Sequence, residues 1–233
     1  MLVAELRSPA VIVMLTQTHE SGKEKCFQYY PLSSDDSPMS IPQDPEDASV
    51  FTGEVHLESV QDHVASRTQF RRLKVITSHN FDYQHELDIR HLLFSGWPDF
   101  LIPEGEDRAA LIELVRLSAA LNNTPFANDS NPGTNGFAST EEDNPRIVHC
   151  SAGVGRSGTF IALDYLLSLL YSGQLDNLGQ DQDPIADTVD LLRQQRMMMV
   201  QGESQFNFLY DVLRERMLAW IQQRDGQARA GAA

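Results

Sequence analysis

Cys150 and Arg156 stand six positions apart in the run Ile147-Val148-His149-Cys150-Ser151-Ala152-Gly153-Val154-Gly155-Arg156-Ser157-Gly158. Gly153 and Gly155 let the loop between them fold back with its N–H groups turned inward, a nest for an anion. The apolar residues from Ser157 onward predict a helix, whose positive dipole end then points at the same spot. Arg156 adds a planar fork that binds two phosphoryl oxygens at once. Ser151, Ala152, Gly153, Val154, Gly155 and Arg156 thus make a phosphate cradle with the Cys150 sulfur at its floor. A field that holds an anion also holds a thiolate, so the Cys150 thiol is expected well below the free value. A thiolate under a bound phosphoryl group is placed for in-line attack. Cys and Arg at this spacing alone fit a buried cysteine ahead of a surface arginine; the glycines and the strand–loop–helix context make the pattern specific.

Such a loop must sit between a strand and a helix, and the chain supplies both. Arg146-Ile147-Val148 reads as a short strand, and Ser157 to Tyr171 as a central helix, apolar nearly all round. Val11 to Leu15 is a β-branched, uncharged run typical of a buried strand. Cys26 to Tyr30 reads as another, stopped by Pro31, after a turn at Glu20 to Lys23. Strand signals recur at Val50 to Leu57 and Phe70 to Thr77, and Leu87, Ile89, His91 and Leu93 alternate with Asp88 and Arg90. From Glu104 the period becomes helical, with Leu111, Leu114, Val115 and Leu121 on one face. Further helices are predicted over Ile185 to Arg196 and around Phe206 to Trp220. Met1 to Arg7 fits one or two helical turns, and Ser33 to Ser49 and Asp176 to Asp183 read as acidic loops. Residues 122–145 read as a mobile insertion and 223–233 as a disordered tail. Together these predict an α/β domain, a sheet faced by helices.

Composition narrows the function classes. The 233 residues are 41% hydrophobic and 22% charged, which excludes wholesale disorder. Basic and acidic residues number 18 and 33, so the formal charge is 18 − 33 = −15. That balance argues against nucleic-acid and anionic-membrane partners. Cys26 and Cys150 are the only cysteines, which fits a reducing compartment and no disulfide framework. The longest apolar run, Phe160 to Tyr171, is too short to span a bilayer and is interrupted by Asp164. Glu5 and Arg7 among the first apolar residues argue against a signal peptide, so a cytoplasmic location, with the nucleus as an alternative, is expected.

The run His149 to Ser157 resembles the signature loop of classical, non-receptor protein tyrosine phosphatases. Three more matches stand in the family's order: Glu20 through Lys25 to Pro31, Trp97-Pro98-Asp99, and Val200-Gln201-Gly202-Glu203-Ser204-Gln205-Phe206. The resemblance runs from about Val11 to Trp220, and the wording from Met14 to Cys26 is most like fungal members. Alone, Trp-Pro-Asp is a turn tripeptide, Glu20 and Lys25 are solvated loop charges, and Gln201 and Gln205 fit a helix cap and a surface residue; order and co-occurrence lift them. The resemblance implies a twisted mixed sheet flanked by helices. It implies hydrolysis of phosphotyrosine-containing proteins through a phosphocysteine on Cys150, with no metal or cofactor.

Asp99 is the candidate acid and then base, flanked by Trp97 and Phe100, whose apolar cover is expected to raise its pKa. The resemblance assigns Gln201 to placing the water, with Gln205 assisting, and Ser157 to easing release of Cys150. It assigns Glu20 to clamping Arg156, Lys25 to the Asp99 loop, and His149 to tuning Cys150 through a backbone contact. Cys26, with no cradle around it, is read as structural. The family's domain begins well before this chain does, and no segment here matches its substrate-facing tyrosine loop. Residues 1–222 are therefore expected to be an N-terminally truncated catalytic domain. Gly202 and Phe206 stand where the family more often has Thr and Tyr. The competing readings are a weakly active or inactive phosphotyrosine-binding fragment, and a phosphatase of broader specificity. Oligomeric state is not specified by these residues.

Overall fold

The run Ala10–Met14 carries no charge and three β-branched residues in its middle, and it forms β1, a strand buried on both faces. The structure is a computed structural model that describes residues 6–42, 51–79, 83–122, 144–179 and 181–230. After β1 come two short paired strands, β2 (His19–Glu20) and β3 (Lys23–Glu24), and β4 (Met39–Ser40). Three long strands follow: β5 (Phe51–His63), β6 (Thr68–His79) and β7 (Tyr83–Phe94). Next come helix α1 (Gly105–Asn122), β8 (Ile147–His149) and helices α2 (Gly155–Tyr171), α3 (Pro184–Gln195) and α4 (Glu203–Ala230).

The main sheet has the order β4-β5-β6-β7-β1-β8. β4 to β7 pair antiparallel, whereas β1 runs parallel to both β7 and β8. The sheet is therefore mixed, and its parallel part is the part that carries the cradle. Ile12 pairs with Ile147 and Met14 with His149, and the Leu15 N–H donates to the His149 carbonyl at 2.8 Å. This register delivers Cys150 to the carboxyl end of the central strands, where ligand sites of α/β sheets gather.

Side chains alternate across β1 as the pleat requires. Val11, Val13 and Leu15 join Phe70, Leu92 and Phe94 beneath α1 and α2, against Leu111, Leu114, Phe160 and Leu163. Ala10 and Met14 point the other way, to Leu73, Val75, Leu87, Ile89 and Tyr30. α3 begins on a good cap: Asp183 Oδ1 accepts from the Ile185 and Ala186 N–H groups at 3.1 and 3.0 Å, with Pro184 at the first helical position.

Several elements differ from the sequence expectation. β5 to β7 are longer than their apolar runs, because Glu58, Gln61 and Asp62 ride on an exposed ladder that pairs from Phe51↔His79 to His63↔Thr68. Cys26 to Tyr30 is not a strand; Tyr30 instead turns inward and is buried. The acidic loop after Ser33 contains a 3-10 turn, Ser34–Asp36, as well as β4. α4 runs through Ala230 where a disordered tail from 223 was expected, since its Gln, Arg and Ala residues favour helix. Residues 1–5, read as helical turns, lie outside the described residues, and so do residues 123–143 of the expected insertion. The ends of that insertion meet: Asn122 Nδ2 donates to the Asn144 carbonyl at 2.6 Å, and Asn144 Oδ1 accepts from the Arg7 N–H at 2.9 Å. Among the described residues no helix is long and apolar enough to cross a membrane.

Candidate active site

The loop from β8 to α2 closes around Cys150, which is 6% exposed. Gly153 has φ +69°, a conformation that costs an L side chain about 1–2 kcal/mol and a glycine nothing. α2 begins at Gly155, two residues before the sequence expectation, so Arg156 lies in its first turn beside the sulfur. Burial pushes the Cys150 thiol up, but the Ser157 hydroxyl and amide, the Gly153 amide and the Arg156 charge outweigh it, and the net shift is downward. The Ser157 hydroxyl makes no hydrogen bond of full geometry among the described residues, so its pull on the sulfur is that of a nearby dipole. Burial and the charges of Glu24 and Glu20 move Cys26 the opposite way.

Arg156 is 2% exposed and held from three directions. Its Nη1 donates to Glu20 Oε1 at 2.7 Å and to the Trp97 carbonyl at 3.1 Å, and its Nη2 donates to Thr16 Oγ1 at 3.2 Å. Glu20 Oε1 also accepts from Thr16 Oγ1 at 2.8 Å and the Gln17 N–H at 3.2 Å. The β2–β3 hairpin, the end of β1 and the Trp97 loop thus fix the plane of one guanidinium.

Asp99 joins the same cluster. Its Oδ2 lies 2.5 Å from Lys25 Nζ and its Oδ1 3.2 Å from Arg156 Nη2. The apolar cover expected for this carboxylate is not what surrounds it. Phe100, at φ +62°, is turned out and 69% exposed, while Trp97 is buried with its indole N–H on the Leu101 carbonyl at 3.0 Å. Two cations face Asp99 instead.

The Gln201 segment approaches from the far side. A Cβ on Gly155 would lie 3.2 Å from the amide atoms of Gln205 and 3.4 Å from Gln201 Oε1, so both amides reach the cradle. A Cβ on Gly158 would lie only 2.5 Å from the Val200 nitrogen, so helix and loop touch backbone to backbone. The Val154 carbonyl accepts from both the Gly158 and the Val200 N–H groups, at 3.0 and 3.1 Å. Arg193 donates to the Met199 and Val200 carbonyls, and Arg196 Nη2 donates to the Ala152 carbonyl at 3.0 Å. Ser151 and Ala152 are exposed at the cradle's rim.

The family model described as protein-tyrosine phosphatase matches residues 2–215. The chain belongs to that family. Among its relatives, human tyrosine-protein phosphatase non-receptor type 9 is 30% identical over 88% of this chain and 30% of its own length. Tyrosine-protein phosphatase 2 of Schizosaccharomyces pombe is 35% identical over 87% of this chain and 24% of its own length. The chain therefore spans under a third of these curated relatives. The crystal structure of the Trypanosoma brucei protein tyrosine phosphatase TbPTP1 superposes with a TM-score of 0.64 at 25% identity, covering 90% of this chain and 61% of that one.

Within this chain the structure gathers Cys150, Arg156, Glu20, Lys25, Asp99, Gln201 and Gln205 at one place. Sequence reasoning missed Thr16, Tyr29, Arg193 and Arg196. Thr16 and Arg196 act on distant groups, on Arg156 and on the Ala152 carbonyl, while Arg193 holds the nearby Met199 and Val200 carbonyls, and no pattern in the sequence marks any of the three. Tyr29 Oη lies 2.6 Å from His149 Nε2. A cleft of about 670 Å³ lies away from Cys150, between the β5–β6 turn and the start of the Trp97 loop, where Gln17, His63, Arg67, Gln69, Ser95 and Asp107 line it.

Proposed function

We propose that this chain hydrolyses phosphotyrosine in proteins through a phosphocysteine on Cys150, with Asp99 as general acid and then base. The observation that carries the reading is the convergence of a lowered thiol, a buried and clamped guanidinium and a lysine-held aspartate from separate segments. The cradle amides and Arg156 bind the phosphoryl oxygens. Cys150 Sγ attacks phosphorus, the bond to the phenolic oxygen breaks, and Asp99 gives that oxygen its proton. A water placed by Gln201, with Gln205 beside it, then attacks the phosphocysteine. Asp99 takes its proton, Ser157 stabilises the departing thiolate, and phosphate leaves. Arg156 carries the charge of both transition states in a plane set by Glu20 and Thr16. No step requires a metal or cofactor. Phosphotyrosine-containing proteins in the cytoplasm are the proposed partners.

The test is turnover of an aryl phosphate and of matched phosphotyrosine and phosphothreonine peptides by this chain, beside Cys150→Ser and Asp99→Ala. Cys150→Ser is expected to abolish turnover. Asp99→Ala is expected to lower kcat by roughly 10²–10⁴-fold for poor leaving groups and much less for acidic phenols, which depart unaided. Residual turnover in Cys150→Ser, or an Asp99→Ala defect independent of the leaving group, would sink the mechanism. Equal rates on both peptides would sink the substrate assignment.

A further inference from the structure

β5 is an edge strand over part of its length. β6 pairs with it from Phe51 to His63, but on its other side β4 pairs only at Met39↔Val55 and Ser40↔Glu54. Two flanking residues extend that cover: the Ile41 N–H donates to the Gly53 carbonyl at 2.8 Å, and the Leu57 N–H donates to Ser37 Oγ at 2.9 Å. Beyond Leu57, among the described residues, no main chain of another element meets the outer side of β5. Glu58 to Asp62 are all exposed.

The pairing shows which groups are open. Residues of an antiparallel ladder alternately turn their N–H and C=O toward the partner strand and away from it. Gly53 and Leu57 turn theirs away from β6, to Ile41 and Ser37. The irregularity between Leu57 and Ser59 adds one residue and shifts the alternation, so from there Val60 and Asp62 point outward. They stand opposite Arg71 and Gln69 of β6, so their side chains share a face. Such an edge is a template for a further strand unless charge, proline or a covering element blunts it. From Ser59 to His63 there is neither proline nor lysine.

Charge decides which strand fits. Asp62 stands two residues from Val60, which is 45% exposed; Glu58 sits at the irregularity, and exposed Asp35 and Asp36 adjoin Ser37. The neighbouring cations are already engaged. Arg67 pairs with Glu106 and Asp107, Arg71 is buried against the Tyr30 ring, and Arg72 Nε lies 4.0 Å from Glu58. A second copy would bring the same acids and a formal charge of −15 to this edge, which disfavours self-pairing. An extended segment with a basic residue opposite Asp62 and an apolar one opposite Val60 is complementary.

We propose that the free edge of β5 at Val60 and Asp62 is a docking site for a basic, extended segment of a partner protein, which adds to the sheet as a strand. The pairs His63↔Thr68 and Thr68↔Phe94 set this edge at the same end of the sheet as the Trp97 loop. Strands lie about 4.8 Å apart, so the added strand would run about 14 Å from β7. A substrate carrying such a segment is held near the cradle by it, which lowers KM and leaves kcat alone. That consequence rests on the proposed function; the docking itself does not.

The test uses the whole chain and a capped peptide without phosphate, Thr-Thr-Lys-Thr-Val-Lys-Thr-Thr. In amide NMR titrations it should shift Ser59 to His63 ahead of all other residues. Two versions N-methylated on alternate residues, one on each edge of the peptide strand, separate main-chain pairing from charge attraction. One should bind like the parent and the other about tenfold more weakly. Asp62→Asn and Glu58→Gln should each weaken binding roughly two- to fivefold, with melting and aryl phosphate turnover as in wild type. Joined by a flexible linker to a phosphotyrosine, the peptide should lower KM at constant kcat, an advantage that Asp62→Asn reduces. Equal binding of the two methylated versions, or of a version with glutamate for lysine, would overturn the proposal. So would shifts that leave Ser59 to His63 untouched, or self-association of the chain through this edge. Edge binding in a chain without phosphatase activity would sink the proposed function and leave the docking site standing; turnover without edge binding would do the reverse.

Discussion

Glu20 is subject to opposing effects: burial raises its carboxyl, while bonds to Arg156, Thr16 and the Gln17 amide lower it, and the net value falls below 4.5. A carboxyl depressed in the folded state adds stability that is fully present above its unfolded value. That stability is lost as pH falls through the folded value. The clamp on Arg156 should therefore contribute fully above about pH 4.5, weaken below it, and be lost once pH passes the lower folded value. Glu20→Gln should melt lower than wild type at pH 7, and the gap should close as the melts are repeated into acid. A gap constant from pH 7 to acid would show that the carboxylate is not what Arg156 relies on. The cysteines give a second prediction. Cys150 is lowered by its cradle while Cys26 is raised by burial and by Glu24 and Glu20, so peroxide should reach Cys150 first and thiols should reverse the early damage. Phosphate or vanadate should protect. Mass mapping that finds Cys26 oxidised first would contradict the thiolate assignment.

Between elements, the closest approach is that of α2 to the Gln201 segment. Gly158→Ala would set a Cβ 2.5 Å from the Val200 nitrogen, a main-chain atom that Val154 and Arg193 hold in place on either side. The loop must move, which should cost roughly 1–3 kcal/mol of stability. On the proposed mechanism it should also move Gln201 away from the attacking water, so phosphocysteine accumulates as a burst ahead of slow hydrolysis. Urea melts and stopped-flow kinetics read the two effects; a normal melt with normal dephosphorylation would show that the contact tolerates a methyl group. The cradle was legible in the sequence because Cys150, the glycines and Arg156 are contiguous, and one strand and one helix frame them. Glu20, Lys25, Asp99 and Gln201 were named only through resemblance, since nothing local distinguishes them from surface residues. Tyr29 and His91 were not legible as a pair, because they meet 62 residues apart across a register that neither announces. The lengths of β5 and β6 were missed for another reason. Glu58, Gln61 and Asp62 face water from a paired ladder, and polar residues in that setting read as loop.

For the whole molecule, the formal charge of −15 surrounds a site proposed to accept an anion. Arg156 and the cradle dominate at contact, but beyond about 8–10 Å the net field governs approach. Phosphotyrosine peptides with basic flanks should therefore show a higher kcat/KM than acidic ones at low salt, and the ratio should shrink as salt is raised. A ratio insensitive to salt would place the preference in direct contacts. At this scale the clasp between Asn122 and Asn144 has a separate consequence. Asn122 at the end of α1 and Asn144 ahead of β8 are bonded to each other, and Asn144 also to Arg7, so the two points from which an insert between them would be carried are held together. Doubling the length of a loop whose ends are held together costs only about 0.6 kcal/mol of closure entropy. A fluorescent reporter or an affinity handle grafted there should leave the melting temperature and the catalytic constants nearly untouched, provided both asparagines are kept. That makes the joined asparagines a natural port for instrumenting the protein, where a graft of equal size at the β5–β6 turn would pull on Arg67 and its ion pairs to Glu106 and Asp107.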